Sequence, residues 1–174
     1  MKILMDELAM ARSLKRITHE IIEKNKGTNN LVLVGLYTRG IDLANRVSEN
    51  LKQIENVIIP TVGLDVSYWR DDELKKVAKP EIKEDFKGKI VIIIDDVLFK
   101  GRTVRAAMEG IIAHGRPAQI QLAVLIDRGH RELPLRADYV GKNIPTSIRE
   151  RVYVQTKETD GVDQVVLQGG RVNV

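Results

Sequence analysis

The chain has 174 residues, 43% hydrophobic and 30% charged, with three histidines, no cysteine and a net charge of +4. That composition excludes a disordered chain, and the missing thiols exclude disulfides and thiolate metal sites. No run reaches the roughly 18 apolar residues of a membrane span, no apolar leader with a cleavage site opens the chain, and the positive charge favours anionic partners such as phosphates or nucleic acid.

A single cytoplasmic domain is therefore expected over residues 1–168, with a flexible tail at 169–174. Residues 6–25 carry the pattern of an amphipathic helix. Met10, Ala11, Leu14, Ile17, Ile21 and Ile22 share one side, and Arg12, Lys15, Arg16 and His19 the other. That basic side is either a solvated face or a phosphate-contacting surface. Leu31 to Leu36 reads as a buried strand, Tyr37-Thr38-Arg39-Gly40 as its turn, and residues 41–51 as the next helix. Gly35 and Gly40 have the spacing of a P-loop, but Ile41 and Asp42 stand where Lys and Ser/Thr are needed, so that motif fails. The turn still offers backbone N–H groups and the Arg39 guanidinium at a helix N-terminus, an anion site by geometry.

Residues 56–64 read as a second strand, demoted toward an edge by Pro60. From 65 to 86 the pattern dissolves into a charged stretch holding the only tryptophan, Trp69. Tyr68-Trp69-Arg70 either folds over a ligand or packs at a subunit contact.

The stretch at 91–103, VIIIDDVLFKGRT, is the most informative. Four consecutive Val/Ile residues read as a parallel-sheet strand buried on both faces. They run into Asp95 and Asp96, a short loop, Gly101-Arg102-Thr103, and an apolar periodicity of helical spacing from Val104 onward. Paired carboxylates at a strand end suit three tasks: accepting hydrogen bonds from sugar hydroxyls, holding Mg²⁺, or acid–base work. Backbone N–H groups at a glycine-bearing helix start make a phosphate cradle. The implied ligand is a phosphorylated ribose. Residues 119–127 form a further strand ending in Asp127, followed by the charged turn RGHRELP; 137–141, 151–156 and 164–168 are shorter strand candidates, with a loop at 142–147. The three histidines form no ligand spacing, so no metal site built from side chains is expected.

These motifs carry a resemblance. VIIIDDVLFKGRT resembles the phosphoribosyl-pyrophosphate (PRPP) motif of the type I phosphoribosyltransferases. RITHEIIEKNKG, LVGLYTRG, YWRDD and above all DRGHRELPLRADYVGKNIPTS extend the likeness across nearly the whole chain, to the family of pyrimidine operon attenuation regulators with uracil phosphoribosyltransferase activity. The resemblance implies an α/β fold: a mainly parallel central sheet flanked by helices, with a small hood. Asp95 and Asp96 would hold the ribose hydroxyls, and Val97, Leu98, Phe99, Lys100, Gly101, Arg102 and Thr103 would wrap the 5′-phosphate. Thr38, Arg39 and Gly40 would form the pyrophosphate loop. A mobile segment at 65–72 would close over PRPP with Arg70 in contact with pyrophosphate, and Asp127 and Arg128 would border uracil. Asp95, Asp96 and Arg70 are thus the catalytic candidates, with Mg²⁺ carried by PRPP.

The resemblance further implies a homo-oligomer that binds the leader mRNA of its operon under the control of uridine nucleotides and so favours transcription termination. Lys15, Arg16, His19, Arg136, Lys142 and Arg149 are the candidates for that RNA-facing surface. A plain uracil salvage transferase and a nucleotide-sensing protein with a protein partner are the competing readings. Two departures stand out. Lys100 replaces a threonine of the family pattern, and Tyr37 replaces what is more often a lysine. They predict that nucleotide binding survives while transferase activity is reduced or lost. Lys100 would either substitute charge for a hydroxyl or crowd the cradle.

Overall fold

The computed structural model describes residues 1–71 and 77–170. Asp72 of the expected mobile segment and residues 171–174 of the expected tail lie outside the described residues. Five parallel strands form the central sheet: β2 (Leu31–Leu36), β3 (Thr61–Leu64), β4 (Ile90–Leu98), β5 (Gln119–Asp127) and β6 (Tyr139–Asn143). Their spatial order is β3-β2-β4-β5-β6, and every neighbouring pair is parallel. β3 is an edge strand that begins one residue after Pro60, whose carbonyl still accepts from Leu33 N–H. The Val/Ile run of β4 is buried on both faces. Ile92 and Ile94 pack with α1 (Glu7–Lys24) and α2 (Arg39–Glu55); Val91 and Ile93 pack with α3 (Arg102–Ala113).

α1 starts where its sequence can satisfy the first turn: the Asp6 carboxylate accepts from Ala9 N–H at 2.8 Å. It buries Met10, Leu14, Ile17 and Ile21. Its last turn is tied to the sheet by Asn25, which accepts from Gln121 at 2.8 Å, while the Tyr139 hydroxyl donates to Gln121 at 2.6 Å. Burial pushes that phenol up to about 12.

A second, antiparallel sheet of order β1-β8-β7 is built from β1 (Lys2–Met5), β7 (Arg151–Gln155) and β8 (Gln164–Gln168), with α4 (Lys157–Asp160) between the last two. Neither β1 nor α4 was legible in the sequence, since each has only four residues and no period to read.

Several expected boundaries move. The strand carrying the acids does not end at them but continues to Leu98. β6 takes in Lys142 and Asn143 from the expected loop, and α2 starts at Arg39 rather than at Ile41. The last shift has a steric cause. A Cβ on Gly40 would stand 2.6 Å from the Ile94 carbonyl oxygen, so only glycine lets the helix begin that close to β4.

Candidate functional site

Counting parallel strands only, the order β3-β2-β4-β5-β6 places the first and third side by side. The connections leave this pair in opposite directions, so a crevice opens between the carboxyl ends of β2 and β4. Asp95 and Asp96 lie at that end of β4, and Thr38, Arg39 and Gly40 at that end of β2. Topology thus brings together the two turns that the sequence places about sixty residues apart.

Asp95 is buried, with 8% of its surface exposed, and accepts from Asp96 N–H at 2.9 Å; Asp96 accepts from Val97 N–H at 2.7 Å. Burial raises the Asp95 carboxyl well above the usual range, the adjacent Asp96 charge adds to this, and Arg70 opposes it. Beyond the acids the strand's facing slips. Val97 packs on the α1–α2 side and Leu98 on the α3 side, the reverse of the parity set by residues 91–94.

Residues Val97, Leu98, Phe99, Lys100, Gly101, Arg102 and Thr103, with Val104, Asp95 and Arg70, line a cavity of about 110 Å³. Every residue expected to wrap a phosphate is in that wall. Gly101 has φ +95° and precedes the first residue of α3, so the chain reverses into a helix N-terminus there. Arg70 Nη1 donates to the Thr103 hydroxyl at 3.1 Å, which sets its guanidinium beside this cavity. Lys100 is exposed, its Nζ lying 5.5 Å from the centroid of the Phe99 ring. The lysine therefore adds charge at the rim and leaves the cavity open.

Arg70 is held there by its neighbours. Trp69 is buried against α3, where a Cβ on Gly110 would come within 2.9 Å of the indole, and its ring meets His114 edge-on. Arg105 donates to the Trp69 carbonyl at 2.5 Å, and Asp71 pairs with Arg102 and Arg105 at 3.1 and 3.4 Å. Of the two expectations for Tyr68-Trp69-Arg70, a ligand cover or a subunit contact, neither describes Trp69, which belongs to the protein's own core. The spacing that hid this is the tertiary meeting of Trp69 with a glycine 41 positions away.

A wider recess of about 450 Å³ is bordered by Asp127, Arg128, Gly129, His130, Arg131, Asn143, Pro145 and Thr146. Arg128 stacks on Phe99 with its guanidinium carbon 4.0 Å from the ring centroid, and donates to the Thr146 hydroxyl and the Ser147 carbonyl. Its own burial lowers its pKa. Asp127 accepts from Gly129 N–H at 3.0 Å and pairs with Arg131 at 2.5 Å. Arg131 also donates to the Phe99 carbonyl at 2.9 Å, joining the recess to the cradle. Arg131 and Thr146 lie in the block DRGHRELPLRADYVGKNIPTS, but no spacing in it marks these two side chains as lining one recess.

Across the crevice, the Tyr37–Thr38 peptide is cis, and Arg39 forms an ion pair with Asp160 of α4. Among the described residues no cluster of three or more His, Asp or Glu forms a metal cage.

The basic candidates are spread out. Lys15 and His19 are exposed on α1. Arg16 donates to Glu20 at 2.6 Å and to the carbonyls of Val140 and Gly141 at 3.2 and 2.5 Å, so it also ties α1 to β6. Lys142, exposed, follows in the same strand. Arg136 is exposed just before β6, and Arg149 lines a separate groove with Ile148, Arg151 and Gln168.

Residues 2–157 match the family described as "Phosphoribosyl transferase domain". The chain is 53% identical to the Bifunctional protein PyrR of Lactococcus lactis subsp. cremoris (strain SK11), over 96% of both chains. It is equally identical, with the same coverage, to the Pyrimidine operon regulatory protein of Lactococcus lactis subsp. lactis (strain IL1403). This chain belongs to the PyrR family of phosphoribosyltransferases. The fold agrees: a hypoxanthine phosphoribosyltransferase of Trypanosoma cruzi superposes with a TM-score of 0.77 at 22% identity, over 98% of each chain. The two candidate anion-binding turns, residues 38–40 and 97–103, meet at the switch-point crevice of this fold.

Proposed function

We propose that this chain forms UMP and pyrophosphate from uracil and PRPP, and that a uridine nucleotide in the same crevice governs its binding to the leader mRNA of a pyrimidine operon, favouring termination. The observation that carries the reading is the pair of acids, Asp95 and Asp96, beside a phosphate-sized cavity at the switch point of a PyrR-family chain.

The 5′-phosphate sits in the cradle of residues 97–103, bound by backbone N–H groups at the start of α3 and the Thr103 hydroxyl, while Arg70, hydrogen-bonded to Thr103 at the cradle's edge, reaches the pyrophosphate. The ribose hydroxyls donate to Asp95 and Asp96. Uracil enters the recess bordered by Asp127 and Arg128, and Thr38, Arg39 and Gly40 face the pyrophosphate. As the bond from the anomeric carbon to pyrophosphate breaks, positive charge develops on the sugar, and uracil N1 closes on that carbon while its proton leaves with the pyrophosphate. The two carboxylates stabilise it electrostatically while the crevice holds both reactants aligned and limits water. The carboxylates are hard oxygen donors that fit Mg²⁺, an ion that keeps waters and binds through one or two carboxylates and substrate phosphates. Such an ion, held by PRPP and these carboxylates, would supply charge neutralisation for the pyrophosphate. Lys15, Arg16, His19, Arg136, Lys142 and Arg149 supply phosphate contacts for RNA, in a homo-oligomer that enlarges the basic surface. Among the described residues no helix is long and apolar enough to cross a membrane.

Two measurements test the reading. Purified protein given uracil, PRPP and Mg²⁺ yields UMP; failure to do so sinks the transferase half. A leader hairpin shifts in a gel more strongly with UMP than without; no nucleotide effect together with no salt-resistant RNA binding leaves a plain salvage enzyme.

A further inference from the structure

Arg39 opens α2 at the switch point, and its guanidinium is already gripped. Its Nε and Nη2 donate to the two carboxylate oxygens of Asp160 at 3.2 and 2.7 Å. A guanidinium presents five N–H donors in a flat fork. Asp160 takes only the side edge of that fork, one hydrogen from Nε and one from Nη2. The Nη1–Nη2 end edge keeps a parallel pair of donors, the arrangement that meets two phosphoryl oxygens at once. Asp96 lies within the electrostatic reach of the same guanidinium. Arg39 thus stands between α4 and the acids of β4.

Asp160 is itself fixed. Its carboxylate accepts from Thr156 N–H at 2.9 Å, its backbone N–H donates to the Thr156 carbonyl at 2.6 Å, and only 15% of its side chain is exposed. The same face of α2 meets α4 and its flanks twice more. Asp42 accepts the hydroxyls of Thr156 and Thr159 at 2.7 and 2.6 Å, and Arg46 pairs with Glu158 and Asp163 at 2.7 and 2.6 Å. Residues 39, 42 and 46 lie along one helical face, so α4 and its flanks are tied to α2 at three points, with Arg39 at the end of the row. A long side chain that must be immobilised on binding loses rotamer freedom at that moment; one already immobilised does not.

We propose that Asp160 is a positioning residue for the pyrophosphate end of PRPP: it clamps Arg39 side-on so that the end edge of the guanidinium meets the phosphoryl oxygens. The proposal rests on the transferase reading above. A carboxylate that blocked the site would occupy the end edge, whereas Asp160 leaves it open.

The test compares wild type, Asp160→Asn and Asp160→Glu by calorimetry with PRPP–Mg²⁺ and with UMP, and by steady-state UMP formation. Asp160→Asn keeps the shape and removes the charge, and is expected to raise the PRPP Kd and KM about tenfold, as for loss of a charge-assisted bidentate contact. UMP, which carries no pyrophosphate, should keep its affinity to within about twofold, because its contacts lie in the other turn. In the Arg39→Ala background the Asp160→Asn change should add nothing. Asp160→Glu, which moves the charge by one methylene, should show a smaller rise with the same selectivity and carries the test if the Asn variant does not fold. An unchanged PRPP KM overturns the proposal, as does equal loss of PRPP and UMP affinity, which marks a merely structural contact. Wild type that binds UMP but not PRPP sinks the transferase reading first, and the proposal with it.

Discussion

Two strand-to-helix turns stand side by side at the head of the central sheet, and they are built in opposite ways. After β4, the cradle comes from consecutive residues, Val97 to Val104, closed by a glycine at φ +95°. Its proposed donors, backbone N–H groups and the Thr103 hydroxyl, all come from this one stretch of sequence. After β2, the proposed anion-binding group is a side chain, Arg39, which pairs with Asp160, 121 residues further on. One turn is complete in itself; the other is finished by a separate sheet. Both turns are marked as anion sites by their sequence, but the direction in which the Arg39 guanidinium is held is not, because Asp160 lies in a distant segment.

The largest expected effect strikes the acids that both turns share. Asp95→Asn/Asp96→Asn should lower UMP affinity by at least about 100-fold, since each charged hydrogen bond is worth about 1.5–3 kcal/mol; calorimetry giving a loss under tenfold would break their assignment to the ribose. The second effect separates the two turns by their glycines. Gly40→Ala drives a methyl to 2.6 Å from the Ile94 carbonyl oxygen, a backbone atom, and should cost about 2–3 kcal/mol. Gly101→Ala meets only the Leu135 side chain at 3.1 Å but strains a positive φ, and should cost about 1–2 kcal/mol. Urea unfolding that reverses this order would show the β4 turn to be the stiffer.

The third concerns pH. Burial raises the Asp95 carboxyl, so the folded chain binds a proton that the unfolded chain has released. Between the ordinary carboxylate pKa and the raised one, stability from this group falls as pH rises. The ribose hydroxyls need the ionised form, so UMP binding releases that proton and strengthens with pH across the same window, by at most about tenfold per unit. Part of this slope comes from the nucleotide phosphate itself, so the comparison is with 2′-deoxy-UMP, whose slope should be shallower, and with Asp95→Asn, in which the difference between the two ligands should vanish.

Smaller effects follow at the rim. Lys100→Thr should raise UMP formation several-fold, the change expected from replacing a charge at the cradle rim by a phosphate-binding hydroxyl; an unchanged rate would show that the lysine serves as well. Lys15→Glu should weaken leader RNA binding with UMP affinity intact and reduce the salt slope by about one for the lost phosphate contact. Arg16 is the poorer probe. Because it also holds the Val140 and Gly141 carbonyls, its charge reversal should lower stability along with RNA affinity.

Much of this molecule follows from its sequence alone. The unbroken apolar run of β4, the strands β2, β5 and β8, and the stripe of α1 come from periodicity, because burial on one or two faces dictates which positions are apolar. The acids and the glycine-bearing turn named a sugar-phosphate ligand, because that chemistry needs those groups in contiguous order. Tertiary structure alone decided three things. It placed the β2 and β4 turns at one crevice, since strand order is written in no single segment. It buried Trp69 against Gly110, since two distant residues had to meet. And it joined Arg39 to Asp160 through a four-residue helix too short to leave a period, so that the guanidinium owes its direction to the far end of the chain.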